Sequence, residues 1–216
     1  MAFIDDLIAS PYDFLKMNLV VMRGFNFPMV AGSEGFKAVD LKAENNARCT
    51  RPSKRFWKGD YTNLGVWGIW HHLTPTPYAV DCTFGAGWLP YAPNTLQKAV
   101  LDDTDRIMLT AAMTGCSFGA VTFSNGQTQV CHVNFQTNDM LDTDAMAAAM
   151  LYFTRKLDQG RYRETIRGKR VALERQGQMG ATVIGVNEGG WTFYAQQWEL
   201  VDGMNDIYNY YELIRL

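Results

Sequence analysis

Two runs rich in β-branched and aromatic residues, Ser117-Phe-Gly-Ala-Val-Thr-Phe123 and Thr128-Gln-Val-Cys-His-Val-Asn134, lie on either side of Ser124-Asn125-Gly126. Asn-Gly between alternating runs is a strong short-range hairpin signal, and the hairpin's register decides what the segment can do. With Asn125-Gly126 as a two-residue type I′ loop, Cys116 opposes Phe135 and His132 projects from the other side of the ribbon. With Ser124-Asn125-Gly126 as a three-residue loop and Gly126 left-handed, Cys116 opposes Asn134. His132 then lies diagonally across on the same face, with Cβ atoms about 7–8 Å apart. The second register is the expectation.

The segments around the hairpin supply the remaining elements. Asp102, Asp103 and Thr104 form an acidic, capping start to Ile107–Met113, and Gly115 is placed as a stop, which predicts a helix ending just before Cys116. A second helix is predicted from Asp142-Thr143-Asp144 to Leu157. Met146, Ala149, Met150 and Phe153 share one stripe of it, Arg155 and Lys156 occupy its last turn, and Gly160 is its stop. Phe3, Ile4, Leu7 and Ile8, followed by Ser10-Pro11, predict two short helical turns at the start. Strand character appears at Leu19–Val21, Gly35–Val39, Leu64–Trp70, Tyr78–Val80, Arg170–Leu173, Ala181–Val186, Trp191–Gln196 and Ile207–Leu213. Thr74-Pro75-Thr76-Pro77 reads as a stiff loop, because each proline fixes its own φ and biases the residue before it. These elements add up to an α+β domain with many antiparallel strands. No repeat, low-complexity segment or linker interrupts the chain, so residues 1–216 are expected to form a single domain.

Composition narrows the function classes. At 47% hydrophobic and 13% aromatic, the 216-residue chain is too apolar for disorder and long enough to close a full core. Lys and Arg number 20 against 22 Asp and Glu, a formal net charge of −2. No chain-wide field draws it to nucleic acid or anionic lipid, so direct nucleic-acid binding is not expected. Asp5 and Asp6 stand where a secretory signal needs basic residues, and no apolar run is long enough to cross a bilayer. Neither a cleavable signal nor a membrane span is expected. Cys49, Cys82, Cys116 and Cys131 contain no CxxC pair and favour free thiols in a reducing compartment, with two disulfides open in any of three pairings.

In the favoured register, Cys116 and His132 form a candidate nucleophile and base. A cysteine at a helix C-terminus feels the negative end of the dipole, so its activation must come from elsewhere. An imidazolium at His132 supplies it by Coulomb attraction and then serves as general acid and base. Backbone N–H groups at Gly115 and Ser117 are candidates for an oxyanion hole, since glycine lets the main chain approach a reacting carbonyl.

Trp88-Leu89-Pro90-Tyr91, Thr95-Leu96-Gln97, the acidic segment after them, Thr110, Thr114-Gly115-Cys116 and the downstream His132 resemble the Burkholderia lethal factor family in order and approximate spacing. More distantly they are similar to the catalytic domain of the cytotoxic necrotizing factors, which carry a Ser-Gly-Cys turn and a following histidine. The resemblance spans Trp88 to Thr137. Where the family reads Leu-Ser-Gly-Cys, this chain has Met113-Thr114-Gly115-Cys116, which keeps a hydroxyl and the glycine. The resemblance implies a sandwich of two mixed, largely antiparallel β-sheets flanked by helices and long loops. It implies a bacterial toxin or effector that deamidates a glutamine side chain of a host protein, of the translation-initiation helicase or Rho-type GTPase class. Cys116 maps to the nucleophile, His132 to the base, and Thr110 to the threonine that supports the histidine. No metal or organic cofactor is implied, the chain is expected to act as a monomer, and its place of action would be the host cytosol.

Each of these residues also has an ordinary structural reading. Free cysteine is among the most buried residue types, and an imidazole in a sheet is commonly a core group. Cys131 faces away from His132 in a regular strand and reads as core. His71-His72 point to opposite sides of a strand and lack zinc-ligand spacing. The basic residues from Arg155 to Arg175 (Arg161, Arg163, Arg167, Lys169 and Arg170 among them), and those at Arg48, Arg51, Lys54, Arg55 and Lys58, read as solvated faces rather than docking surfaces. Trp57, Trp67, Trp70, Trp88, Trp191 and Trp198 read as core rather than a sugar platform. The alternatives to the deamidase are a noncatalytic β-sandwich binding module and a cysteine peptidase or amidase using the same pair.

Overall fold

A computed structural model of the chain describes residues 2–22, 37–50, 66–76, 83–89, 91, 93–101, 103–169, 177–202 and 207–216. The chain starts with helices α1 (Ala2–Ala9) and α2 (Pro11–Met17), and Pro11 opens α2 as expected. Ser10 Oγ donates to Asp13 Oδ2 at 2.9 Å instead of accepting from a helix N–H. Four strands follow: β1 (Leu19–Met22), β2 (Lys37–Thr50), β3 (Val66–Thr76) and β4 (Thr83–Leu89). The middle of the chain contributes β5 (Thr95–Val100), β6 (Ile107–Thr110), β7 (Ser117–Thr122), β8 (Thr128–Asn134), β9 (Gln136–Thr137), β10 (Met140–Leu141), α3 (Thr143–Ala149), β11 (Arg155–Leu157) and α4 (Gln159–Lys169). Three long strands, β12 (Gln178–Asn187), β13 (Trp191–Asp202) and β14 (Ile207–Arg215), complete it.

The molecule is mixed α+β, with mostly antiparallel pairings in two principal sheets. The larger has the order β1-β3-β2-β14-β13-β12-β6-β4, and the smaller β11-β7-β8-β5. In the larger sheet β1–β3, β14–β2 and β4–β6 are parallel. β2 also pairs with β4, which links the far strand of that sheet back to its middle. Both sheets feed one core: Met108, Val183, Phe193 and Ala195 come from the larger sheet, Phe118, Ala120 and Val130 from the smaller, and Tyr162 and Ile166 from α4. Alternation assigns the opposite faces. Ile107, Leu109, Ile184 and Val186 pack toward α1 and α2 through Leu7 and Leu15, while Val121, Cys131 and Val133 pack under α3 with Met146, Met150 and Phe153.

Several expectations are corrected. Ile107–Met113 is not helical. Its first four residues form β6, all buried, with alternate side chains in the cores on either side of the larger sheet. A strand covered on both faces is continuously apolar and lacks the period-2 signature, so its run resembles a short buried helix. The expected helix to Leu157 ends at Ala149; its Asp142 cap is real, accepting from Ala145 N–H at 2.9 Å. Beyond it Phe153 folds into the core and Arg155–Leu157 joins the edge of β7, whose unpaired groups outcompete helix continuation. Gly160 is no stop, since it lies in the first turn of α4. Thr74–Thr76 belongs to β3 rather than a loop. Pro75 opposes Leu41 of β2 beyond the last residue that β1 pairs, where a strand tolerates a missing donor. The strands expected at Tyr78–Val80 and Arg170–Leu173, and the basic residues Arg51, Lys54, Arg55 and Lys58, lie outside the described residues, as does Trp57.

Candidate active site

The β7–β8 hairpin takes the three-residue loop. Phe123 N–H donates to Gln127 O at 2.9 Å, Gly126 N–H to Phe123 O at 3.0 Å, and Gly126 has φ +88°, the left-handed value such a loop needs. Ser117 pairs with Val133 and Phe118 with His132, so the residue before the ladder, Cys116, meets Asn134. Asn134 Nδ2 donates to Cys116 Sγ at 3.3 Å. Cys116, Asn134 and His132 therefore share the inner face of the smaller sheet, the face turned toward the larger one.

The chain reaches Cys116 by crossing between sheets. After β6, Met113 exchanges two backbone hydrogen bonds with Ala181 of β12, at 2.8 and 2.9 Å, and the chain then turns through Thr114 and Gly115 into β7. The turn packs closely at Gly115, where a Cβ would stand 3.0 Å from Leu141 Cδ1 and push that side chain aside. Because no helix precedes Cys116, the opposing dipole expected from the sequence is absent. Arg163 of α4 holds the turn, with Nη2 donating to Thr114 O at 2.6 Å. Ser117 points to the other side and accepts from Gln159 N–H at 3.1 Å, anchoring the start of α4.

Thr110 shares the inner-face parity of Met108, and its Oγ1 accepts from Val183 N–H at 3.1 Å. It makes no hydrogen bond to His132, because neither ring nitrogen of the buried imidazole has a hydrogen-bond partner within the protein. Tyr91 covers the imidazole at 5.7 Å between ring centroids, and its hydroxyl accepts from Asn134 Nδ2 at 3.4 Å. Thr95 and Gln97 of the edge strand β5 pair with Asn134 and His132 and are half-buried, so this end of the inner face lies one strand from solvent.

Burial sets the protonation states. Cys116 is 3% exposed and His132 1%. Desolvation pushes the Cys116 thiol up to about 11, against the lowering pull of the Asn134 hydrogen bond, a Gly115 backbone hydrogen bond and the Arg163 charge. Desolvation drives His132 down to about 4. At neutral pH the pair is thus thiol and neutral imidazole, and the imidazolium–thiolate expected from the sequence is not the state of this conformation. Tyr91 is raised by burial and by Cys116, and Tyr162 by burial first and Cys116 second.

Among the described residues, eight buried side-chain polar atoms lack a hydrogen-bond partner, and five of them belong to four residues around Cys116: His132 Nδ1 and Nε2, Asn134 Oδ1, Tyr162 Oη and Arg163 Nε. Such atoms are uncommon in folded proteins, so their gathering at one thiol is the site's most distinctive property. Sequence reasoning missed Tyr91, Tyr162 and Arg163 as neighbours of the thiol. The spacing Gln159, Tyr162, Ile166 did carry a helical stripe that would have found α4. The basic segment is only partly a solvated face, because Arg161 and Arg167 are exposed while Arg155 and Arg163 turn inward. Trp191 and Trp198 are core, at 7% and 3% exposure.

Cys116 and Cys131 are free thiols, and no group of metal-binding side chains occurs among the described residues. No described helix is long and apolar enough to cross a membrane. An open cleft of about 840 Å³ lies at the far end of the hairpin, lined by Arg106, Thr122, Gly126, Asn187, Glu188 and Arg215 among others, and it contains neither Cys116 nor His132. Compared with known proteins, the chain matches no family model and no curated protein.

Proposed function

We propose that the chain is a cysteine-dependent amidohydrolase, and specifically a bacterial effector that deamidates a glutamine side chain of a host protein. One observation carries this reading: a buried thiol and a buried imidazole share one sheet face, surrounded by polar atoms without partners in the protein. A carboxamide, which donates two N–H bonds and accepts at its oxygen, is complementary to that set. The resemblance from Trp88 to Thr137 supplies the finer claim, including a target of the translation-initiation helicase or Rho-type GTPase class and action in the host cytosol.

The chemistry uses only water as co-substrate. Cys116 passes its thiol proton to the neutral His132 as Sγ attacks the carboxamide carbon, and His132 hands that proton to the departing ammonia as the C–N bond breaks. His132 then takes a proton from water, which attacks the thioester, breaks the C–S bond and returns the thiol. Entry of a glutamine requires Tyr91 and the Thr95–Gln97 end of β5 to move, since they cover the imidazole from the sheet edge.

A second reading has its own observation. With Cys116 3% and His132 1% exposed, and the thiol held protonated, the pair equally suits the interior of a noncatalytic binding module. Peptide mass spectrometry of a eukaryotic cell lysate treated with wild type or Cys116→Ser separates the two. The deamidase converts a restricted set of glutamines, each gaining about 1 Da as an amide becomes an acid, only with wild type. Identical glutamine sets in both samples overturn the activity, and new peptide ends in place of mass gains identify a peptidase.

A further inference from the structure

The crossing into β7 is gripped by α4. Arg163 Nη2 holds the Thr114 carbonyl at 2.6 Å, and its Nε is buried without a protein partner. The helix itself is docked at the same place. Gln159 N–H donates to Ser117 Oγ at 3.1 Å, Asp158 Oδ1 accepts from Arg161 N–H at 2.7 Å, and Tyr162 and Ile166 are fully buried in the core between the sheets. A guanidinium that spends one N–H on a carbonyl keeps its whole charge, and its planar fork fixes where that charge sits.

The titratable and charged groups that face Cys116 are His132 from β8, Tyr91 from the segment before β5, and Tyr162 and Arg163 from α4, with Asp158 acting on Tyr162 from the helix start. Of these, Arg163 is the one cation at neutral pH, because burial keeps the imidazole uncharged. We propose that Arg163 is a positioning residue of the Cys116 site, clamping the Thr114–Cys116 turn to α4 and supplying the positive charge against which the thiolate forms. The inference rests on the thiol reading above and goes beyond it by assigning the thiolate's counter-charge to the guanidinium instead of the imidazole, alongside the Asn134 hydrogen bond to the sulfur. His132 is then left free to act as a neutral base.

Site-resolved alkylation by iodoacetamide, read by peptide mass spectrometry across the neutral and alkaline range, tests this without any substrate. Arg163→Met raises the pH midpoint of Cys116 labelling by about half a unit, so labelling below the midpoint slows about threefold. Arg163→Lys keeps the charge, leaves the midpoint within a few tenths of wild type, and raises the limiting rate as the turn loosens. Arg167→Gln, which removes an exposed charge one turn further along α4, changes neither. An unmoved midpoint in a folded Arg163→Met overturns the proposal. Should Arg163→Met unfold, seen as rapid labelling of Cys131, the lysine variant decides: a midpoint that rises despite the retained charge overturns it. A wild type whose Cys116 labels as described but converts no glutamine removes the deamidase reading and leaves this one standing. A Cys116 that never labels removes both.

Discussion

The two faces of the smaller sheet each bury a cysteine, yet they treat it differently. Cys131 lies on the outer face among Val121, Val133, Met146, Met150 and Phe153, and Cys116 lies on the inner face against Asn134 and near Tyr162 and Arg163. Burial raises both thiols, Cys131 to about 12 and Cys116 to about 11. Burial alone therefore does not distinguish the two thiols; their surroundings do. The outer face around Cys131 is lined by apolar side chains with the charges of Lys98 and Lys156 nearby, and Gly119 is packed so closely that a Cβ there would stand 2.8 Å from Phe153. The inner face gathers hydrogen-bonding groups that the fold leaves unused.

The largest expected effect tests the structural side of this contrast. Phe153 is 2% exposed and seals the outer face, so Phe153→Ala should cost about 3–5 kcal/mol of unfolding free energy, measured by chemical denaturation. Native-state labelling of Cys131 should rise with it, while the midpoint for Cys116 stays where it is. A Cys116 midpoint that shifts equally would mean that the two faces are one coupled unit.

The imidazole should make stability acid-sensitive. His132 has a folded value near 4 against an ordinary 6.5. Between these values the unfolded chain binds the extra proton, so stability falls as pH drops from about 6.5 to about 4 and then levels off. The full loss is on the order of 3 kcal/mol. His132→Gln should remove that slope while leaving the slopes of the carboxylates. The raised thiols act at the other end, where stability is lost as pH climbs from the ordinary thiol value toward 11 and 12.

Serine substitutions compare the faces directly. Cys131→Ser places a hydroxyl among apolar side chains and should cost about 2 kcal/mol. Cys116→Ser meets an Asn134 amide already positioned to donate, and should cost under about 1 kcal/mol. Equal costs in denaturant titrations would erase the distinction drawn between the two environments.

The legibility of these features followed the range of the physics behind them. The hairpin register was readable because Ser124-Asn125-Gly126 encodes its own turn, and with it came the shared face of Cys116, Asn134 and His132. The long strands β12, β13 and β14 were readable from β-branched and aromatic runs. β6 was not, because a strand buried on both faces loses the alternation that would identify it. The end of α3 was not, because Phe153 and the edge of β7 decide it from a distance. At the site, the expectation that His132 would be an imidazolium failed for a related reason: charge state depends on desolvation by the facing sheet, which no local motif encodes. The place of Arg163 is not legible locally because it depends on a helix packed against a turn far away in sequence.

One hydrogen bond on the inner face can be tested alone. Asn134 Nδ2 donates to Cys116 Sγ at 3.3 Å and to Tyr91 Oη at 3.4 Å, and a donor to sulfur favours the thiolate. After burial, this bond is the strongest influence on the thiol, ahead of the Arg163 charge. Asn134→Leu keeps the volume and deletes the donor, so the Cys116 labelling midpoint should rise by about one pH unit, equivalent to about 1.4 kcal/mol. That exceeds the shift expected for Arg163→Met. Cys131, on the opposite face, should not respond. Site-resolved alkylation reads both thiols in one digest, so a rise at Cys116 alone confines the effect to the inner face. A midpoint lower than wild type would show that the amide holds the thiol as a protonated partner, and the ranking of Asn134 above Arg163 would then have to be reversed.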